Sequence, residues 1–184
     1  MTRQSGGTAV VLGVGNVLLG DDGVGVRVVE ALRGLAQRDE FALPEATRLV
    51  DGGTLGLDLL RTVDDACCLL LIDAVDLDQP AGTVSVLRGD AILTAGTASG
   101  RSVPGGVGEL LSAARLMGWL PDPVAMVGIQ VHETGFGVGL SAQVEAALPR
   151  AIATARDELR ELRMLAEAAR PRIAGTLRAE GATA

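Results

Sequence analysis

The chain has 184 residues, of which 48% are hydrophobic, and this content predicts one folded domain with a sizeable core rather than a disordered chain. Its 23 acidic residues outnumber 16 basic residues, all arginine, and the net charge of −7 argues against nucleic acid and anionic membranes as main partners. The longest apolar run, Ala66 to Ile72, is too short to span a bilayer, and residues 1–8 lack a signal-peptide pattern, so we expect a cytoplasmic protein without membrane partners.

The N-terminal part of the chain has the pattern of a strand, a glycine-rich turn and a helix. Residues 9–12 are apolar and predict a short buried strand, while apolar residues between Val24 and Leu35 recur at helical spacing. The glycines between these segments permit a tight turn. Either Asp21 or Asp22 could cap the first amides of the helix.

This first loop suits a cation better than a phosphate group. A dinucleotide-binding loop would need glycine at position 18, where this chain has leucine, and adjacent acids would repel an anion. A single aspartate here would be an ordinary helix cap, but a cap needs only one side chain. The pair of Asp21 and Asp22 therefore indicates a site for a cation or a positively charged peptide.

Strands and helices alternate along the rest of the chain. Further strands are predicted at residues 47–50, 66–74, 83–87 and 124–131, and further helices at 55–63, 107–117 and from 141 onward. The third strand is apolar on both faces, as in the centre of a covered parallel sheet, whereas the fourth alternates and predicts an antiparallel edge strand. Residues 91–106 could be a mobile loop beside the active face or only a long connection. Pro149 could bend the final helix or begin its second part.

This order of elements predicts an α/β fold with three layers, in which helices cover both faces of a twisted, mostly parallel, five-stranded sheet. We expect a single domain over residues 1–184, folded from about residue 8 to residue 169, with a flexible N-terminus and C-terminal tail. Sites in such folds lie beyond the carboxyl ends of the strands, where Asp22, Asp51 and Asp73 all fall. Asp22 and Asp73 can meet if the first and third strands are neighbours.

The sequence offers little support for a conventional catalytic nucleophile or a zinc-binding motif. Cys67 and Cys68 are adjacent in a predicted strand, so we expect them to point to opposite faces as reduced core thiols, unreactive without an electropositive neighbour. His132 and Glu133 are not followed by the second histidine of an HExxH zinc site. Ser99 lacks the spacing of a GxSxG nucleophile turn.

Several motifs together resemble the hydrogenase maturation endopeptidases, which trim the large subunit of nickel-iron hydrogenases. The glycine-asparagine loop with its acidic pair and the DGG turn are specific in combination, and the similarity covers nearly the whole folded part. The matching segments are Gly13 to Leu32, Asp51 to Leu60, Leu69 to Asp76, Pro80 to Val84, Leu110 to Pro121 and Val127 to Ser141.

The resemblance implies a protease that recognises nickel in the immature large subunit and removes its C-terminal extension, with the nickel carried by the substrate precursor. By motif position, Asp22 and Asp73 match metal-contacting residues, and a substrate-bound cation with an aspartate proton acceptor would hydrolyse the peptide. Asp51 is a third catalytic candidate, for orienting the substrate or assisting proton transfer. The candidate substrate-binding residues are Gly15, Asn16, Asp21, Gly52 and Gly53.

The family's third metal-contacting residue, a histidine before the helix at Val107, is missing here, where residues 102–106 read SVPGG. The contact could be dispensable, activity could be lost, or His132, the only histidine, could replace it as a metal ligand. Replacement requires His132 to lie within about 4 to 5 Å of the two carboxylates. The alternative functions are a binding module that docks on the nickel-loaded subunit without cutting it and, more remotely, a nucleotide-using enzyme.

Overall fold

The computed structural model describes residues 7–93 and 106–169, which form a five-stranded sheet and the helices that cover it. The strands are β1 (Thr8–Val14), β2 (Thr47–Gly53), β3 (Ala66–Val75), β4 (Val84–Arg88) and β5 (Val124–Gln130). The helices are α1 (Val24–Gln37), α2 (Leu60–Asp64), α3 (Val107–Leu116) and α4 (Ala142–Ala168). The predicted flexible termini and most of the 91–106 connection lie outside the described residues, although residues 90–93 are helical.

The strand order is β2-β1-β3-β5-β4, with β3 in the centre. The first four strands in this order are parallel, and β4 pairs antiparallel with β5 at the edge. The predicted fold class is therefore confirmed, including the antiparallel edge strand. The neighbouring positions of β1 and β3 also meet the condition for bringing Asp22 towards Asp73.

Two apolar layers hold the helices against the sheet. Helices α1 and α4 pack on one face of the sheet, while α2 and α3 pack on the other. Successive residues of a central strand point to opposite faces, so Leu70 is buried in the first layer and Leu71 in the second. Each such leucine contributes about 1.5 to 3 kcal/mol when fully buried. This double coverage explains why the run in β3 is apolar without alternation.

The start of α1 is pressed against the ends of β1 and β3. A Cβ atom at Gly25 would lie 2.2 Å from the Ile72 carbonyl oxygen and 2.4 Å from the Val14 carbonyl oxygen. Only glycine permits this approach, because real Cβ atoms are not found at such distances. The backbone that precedes α1 is therefore fixed above the carboxyl edge of the sheet, where β1 and β3 end.

Helix α4 is a single helix from Ala142 to Ala168, with Pro149 inside it. Ser141 caps its start, since the side chain accepts a hydrogen bond from the Val144 amide. The predicted start at residue 141 is thus confirmed, while a second helix beginning at Pro149 is not. None of the described helices has the length and apolar character needed to cross a membrane.

An irregularity in β3 places both cysteines on the same face of the sheet. Thr8 pairs with Ala66 but Ala9 pairs with Cys68, so Cys67 is an extra residue in the strand. The two Sγ atoms lie 3.9 Å apart on the side of α1 and α4. The prediction that they point to opposite faces is therefore wrong.

The surroundings of the two thiols also differ from the prediction. Arg163 places Nη1 at 3.4 Å from Cys67 Sγ, so the expected lack of an electropositive neighbour is wrong. Burial raises the pKa of Cys68 to about 12, and the adjacent Cys67 adds to that rise. Cys68 is therefore protonated and buried, as expected of a core thiol.

Candidate active site

Asp22 lies in a single turn of 3-10 helix, Gly20–Gly23, between β1 and α1. Its half-buried carboxylate accepts a 2.7 Å hydrogen bond from the Asn16 amide through Oδ2. Gly15 has a φ of 124°, and a Cβ atom there would lie 1.8 Å from the Asp22 carbonyl oxygen. The loop itself thus requires glycine at position 15. Contacts of Gly15 and Asn16 with a substrate stay predictions.

Asp73 lies in β3, two residues before the strand ends, and its Oδ1 accepts a 2.8 Å hydrogen bond from the Ala74 amide. Although part of its side chain is exposed, protein atoms surround it closely, and this burial is the main reason that the pKa of Asp73 is raised to about 7. The Ala74 amide lowers the pKa, and the negative charge of Asp22 raises it. The turn that carries Asp22 leads into a helix start that is pressed against β3, where a Cβ atom at Gly25 would lie 2.2 Å from the Ile72 carbonyl oxygen, so Asp22 and Asp73 share this edge of the sheet. Joint contact of the two carboxylates with a metal stays a prediction.

No cation compensates this repulsion within the described part of the chain. None of the ion pairs formed there includes Asp22 or Asp73. No group of three or more histidine, cysteine or acidic side chains in the same residues could hold a metal ion. Two carboxylates without a positive partner attract a cation, because a nearby positive charge favours their ionised forms.

Asp51 reaches the same edge of the sheet from β2. It pairs with Gly13 of β1, which pairs in turn with Ile72 of β3. Two strand spacings, about 10 Å, therefore separate the backbone of Asp51 from β3. Its exposed carboxylate accepts a hydrogen bond from the Gly53 amide at 3.0 Å. Asp51 could contact a substrate that extends from the Asp22 and Asp73 pair, and its catalytic role stays a prediction.

The two glycines after Asp51 have different surroundings. Gly52 is buried, and a Cβ atom there would lie 2.7 Å from Leu12 Cδ1 and 3.1 Å from Leu59 Cδ1. Glycine at this position makes room for core side chains, and contact of the Gly52 backbone with a substrate stays a prediction. Gly53 accepts a hydrogen bond from the Gly15 amide at 3.0 Å and so connects the loops after β1 and β2. Substrate contact by Gly53 stays a prediction.

Asp21 is fully buried and has a structural role. Its carboxylate accepts hydrogen bonds from the amides of His132, Glu133 and Ser141 at 2.9, 3.0 and 2.6 Å, and from the Ser141 hydroxyl at 2.8 Å. Burial would raise the pKa of Asp21, but these hydrogen bonds lower it below its ordinary value. The assignment of Asp21 to substrate binding is wrong, because it ties the loop before α1 to the loop after β5.

His132 does not complete a metal site in the described residues. Asp73 pairs with Gly128, and the two strands stay together as far as the hydrogen bond from the Val131 amide to the Val75 carbonyl. His132 lies in the loop two residues after the end of β5, and its amide donates to Asp21 Oδ2 at 2.9 Å. Its side chain is exposed and belongs to no cluster of three potential ligands. The proposed replacement of the missing histidine by His132 is therefore wrong.

Sequence reasoning missed Gln130, a buried polar residue at the end of β5. Its Oε1 accepts a 2.7 Å hydrogen bond from the Leu77 amide, and its Nε2 donates to Asp76 Oδ1 at 3.1 Å. These bonds hold the loop that follows Asp73. The available signal was a glutamine that ends an otherwise apolar strand, since buried polar groups are almost always hydrogen-bonded.

Comparisons with known families, sequences and structures all find hydrogenase maturation proteins. A family model described as hydrogenase maturation protease matches residues 26–158. The hydrogenase 2 maturation protease of Escherichia coli is 34% identical over 153 residues, which are 83% of this chain and 90% of that protein. The hydrogenase expression/formation protein HupM of Azotobacter chroococcum is 37% identical over 159 residues, 85% of this chain and 74% of that protein. The solved structure of the hydrogenase maturating endopeptidase HybD from E. coli superposes with a TM-score of 0.73 at 33% identity, covering 84% and 93% of the two chains.

Proposed function

Because this chain belongs to the hydrogenase maturation protease family, we propose that it removes the C-terminal extension from the immature large subunit of a nickel-iron hydrogenase after nickel insertion. The observation that carries this proposal is the approach of Asp22 and Asp73, from two separate strand ends, without a positive partner in the described residues. We further propose that the protein acts in the cytoplasm, since two adjacent free thiols are typical of a reducing compartment.

The nickel ion is proposed to be part of the substrate. Two carboxylates alone make a weak and poorly selective nickel site, because nickel binds imidazole and thiolate ligands well. Ligands from the precursor would hold the ion, and Asp22 and Asp73 would contact it from the protease side. The repulsion between these carboxylates supports this arrangement, since an incoming cation would relieve it.

The proposed reaction is metal-assisted hydrolysis of one peptide bond. The substrate-bound ion would polarise the scissile carbonyl or the attacking water. Asp22 or Asp73 would accept the proton of that water as its oxygen bonds to the carbonyl carbon, and the leaving amine would receive a proton as the carbon–nitrogen bond breaks. Asp51, exposed at the same edge, would orient the peptide that extends across β1.

The test uses purified protein and nickel-loaded large-subunit precursor. The wild type should shorten the precursor and release its C-terminal peptide, both measured by mass spectrometry. Asp22→Asn and Asp73→Asn should each lower the cleavage rate by about a hundredfold or more, in the range found for acid–base groups. Asp65→Asn is the matched control, since Asp65 is an exposed acid just before β3, at the opposite end of that strand from Asp73. An uncut precursor, or full activity in Asp22→Asn, contradicts the proposal.

A second candidate function is a non-cleaving module that binds the nickel-loaded large subunit. The position of His132, the only histidine, favours this function, because its side chain is exposed and belongs to no ligand cluster. In the described residues, Asp22 and Asp73 are then the two contacts proposed for the metal. The same incubation separates the two functions. A stable complex on a native gel with an unchanged precursor mass would indicate the binding module.

A further inference from the structure

We propose that three exposed apolar side chains beside Asp22 dock this chain onto its protein substrate. Leu18, Phe136 and Val138 form this apolar ridge, and their exposed fractions are 51%, 93% and 78%. The inference rests on the proposed function, because the docked partner is the large-subunit precursor. It goes beyond the chemistry at Asp22 and Asp73 by assigning a recognition surface outside the reacting groups.

The ridge is built from two loops that are hydrogen-bonded to each other. The Gly137 amide donates to the Leu18 carbonyl and the Gly20 amide donates to the Gly137 carbonyl, both at 3.0 Å. These bonds form a parallel bridge between Leu19 and Gly137. Side chains alternate along paired backbone, so the residues next to the bridge lie on one side together. Leu18, Phe136 and Val138 therefore lie on the same side of this bridge.

The loops of the ridge are held in place before any partner arrives. Asp21 receives hydrogen bonds from the amides of His132 and Glu133, just before the ridge residues of the second loop. In the first loop, the Leu18 amide donates to Asn16 Oδ1 at 3.0 Å, and the Asn16 amide donates to Asp22. A pre-organised surface loses little conformational entropy on binding. The same bonds fix the ridge relative to the proposed catalytic carboxylates.

Phe136 has the exposure of a binding residue rather than that of a core residue. The chain has two phenylalanines, and the other, Phe41, is buried. A nearly fully exposed ring adds nothing to the packing of the fold and leaves apolar surface in water. Aromatic residues at the centre of an interface typically contribute a large share of the binding energy.

The charge around the ridge selects the partner. The described loops at the carboxyl edge, residues 15–23, 52–59, 74–83 and 131–141, contain no arginine, and the chain has no lysine. Their acidic residues, together with Asp51 and Asp73, favour a partner that presents an apolar depression surrounded by lysine or arginine. A second copy of this chain would carry the same net charge of −7 and would be repelled. We therefore assign the ridge to the precursor and not to self-association.

The test compares Phe136→Ser with Leu116→Ser. Leu116 is also strongly exposed, at 89%, but it ends α3 at the opposite edge of the sheet. Binding is measured with nickel-free precursor, which the ridge contacts without cleavage, and cleavage is measured with nickel-loaded precursor. Phe136→Ser should raise the Kd by about tenfold or more and raise KM with an unchanged kcat, while Leu116→Ser should match the wild type. Both variants should keep the wild-type melting temperature.

The outcomes separate this inference from the proposed function. Weaker binding by Phe136→Ser alone supports the ridge, even where the wild type fails to cut the loaded precursor. Equal binding by Phe136→Ser and the wild type, or an equal loss in Leu116→Ser, overturns the ridge while leaving cleavage intact. A wild type that does not bind the precursor also overturns it. So does a wild-type dimer that Phe136→Ser converts to a monomer in sedimentation, because the partner is then a second copy.

Discussion

The surroundings of Asp73 in the folded protein disfavour the ionised form of its carboxyl group. Burial and the neighbouring charge of Asp22 raise its pKa to about 7, from the ordinary value of 3.8. Between these values the folded chain binds more protons than the unfolded chain, so the free energy of unfolding falls as the pH rises. The penalty is absent below about pH 4 and complete above about pH 7. The ionised Asp73 thus lowers the free energy of unfolding at the position where we propose that the protein contacts a cation.

We therefore expect Asp73→Asn to stabilise the isolated protein at about pH 8 and to have little effect near pH 4. One pKa unit corresponds to about 1.4 kcal/mol, and solvent screening of the partly exposed carboxyl reduces the total gain to about 1 to 3 kcal/mol. Asparagine keeps the oxygen that accepts from the Ala74 amide. Urea denaturation at both pH values measures the effect, with Asp78→Asn as the control. A gain that is equal at both values would contradict the ionisation argument.

The loop between β5 and α4 depends on a carboxylate from a distant part of the chain. Asp21 is 111 positions from His132 and 120 positions from Ser141, yet it receives donors from both. Its lowered pKa means that these bonds stabilise the fold at neutral pH and are lost as the pH falls through the folded pKa. One side chain thus organises both loops of the apolar ridge and the start of α4.

Asp21→Asn should therefore be destabilising, by about 2 to 4 kcal/mol at neutral pH, because one carboxylate oxygen becomes an amide that faces N–H donors. The variant should also weaken precursor binding, because the loop that carries Phe136 loses its attachment. Denaturation by urea and the Kd for nickel-free precursor measure the two effects. Asp65→Asn, at an exposed acid just before β3 and outside the loops of the carboxyl edge, serves as the matched control. Wild-type stability in Asp21→Asn would show that the buried bonds do not hold the loop.

The elements differ in how far the sequence alone predicted them. Strands such as β3 were found because an apolar run bounded by turns has few other interpretations, and its central position followed from apolar residues on both faces. The extra residue at Cys67 could not be found, because it depends on how β3 aligns with β1, and one position changes which face a side chain joins. The role of Asp21 was hidden for the same reason, since its donors are distant in sequence.

At the scale of the whole molecule, the charges are unevenly distributed. The described arginines form their ion pairs from helices, from the residue after α1 and from the end of β4, as between Arg88 and Glu158 or between Arg163 and Glu167. The loops at the carboxyl edge have acids without arginine. Chain order predicted that Asp22 and Asp73 would share this edge, because parallel strands end together. It could not predict that the exposed His132 belongs to no ligand cluster with them, since that depends on how Asp21 holds the loop after β5.

We predict that the isolated protein holds no structural metal within its described part, where no cluster of three potential ligands is formed. We expect dialysis against EDTA to leave the melting temperature unchanged, and added nickel alone to raise it by less than about 1 °C, since weak binding stabilises a fold only slightly. Differential scanning calorimetry and metal analysis of the purified protein provide the measurement. Nickel-loaded precursor should bind more tightly to the wild type than nickel-free precursor does, and Asp22→Asn should remove that difference. Stoichiometric nickel retained after dialysis would contradict the view that the ion arrives with the substrate.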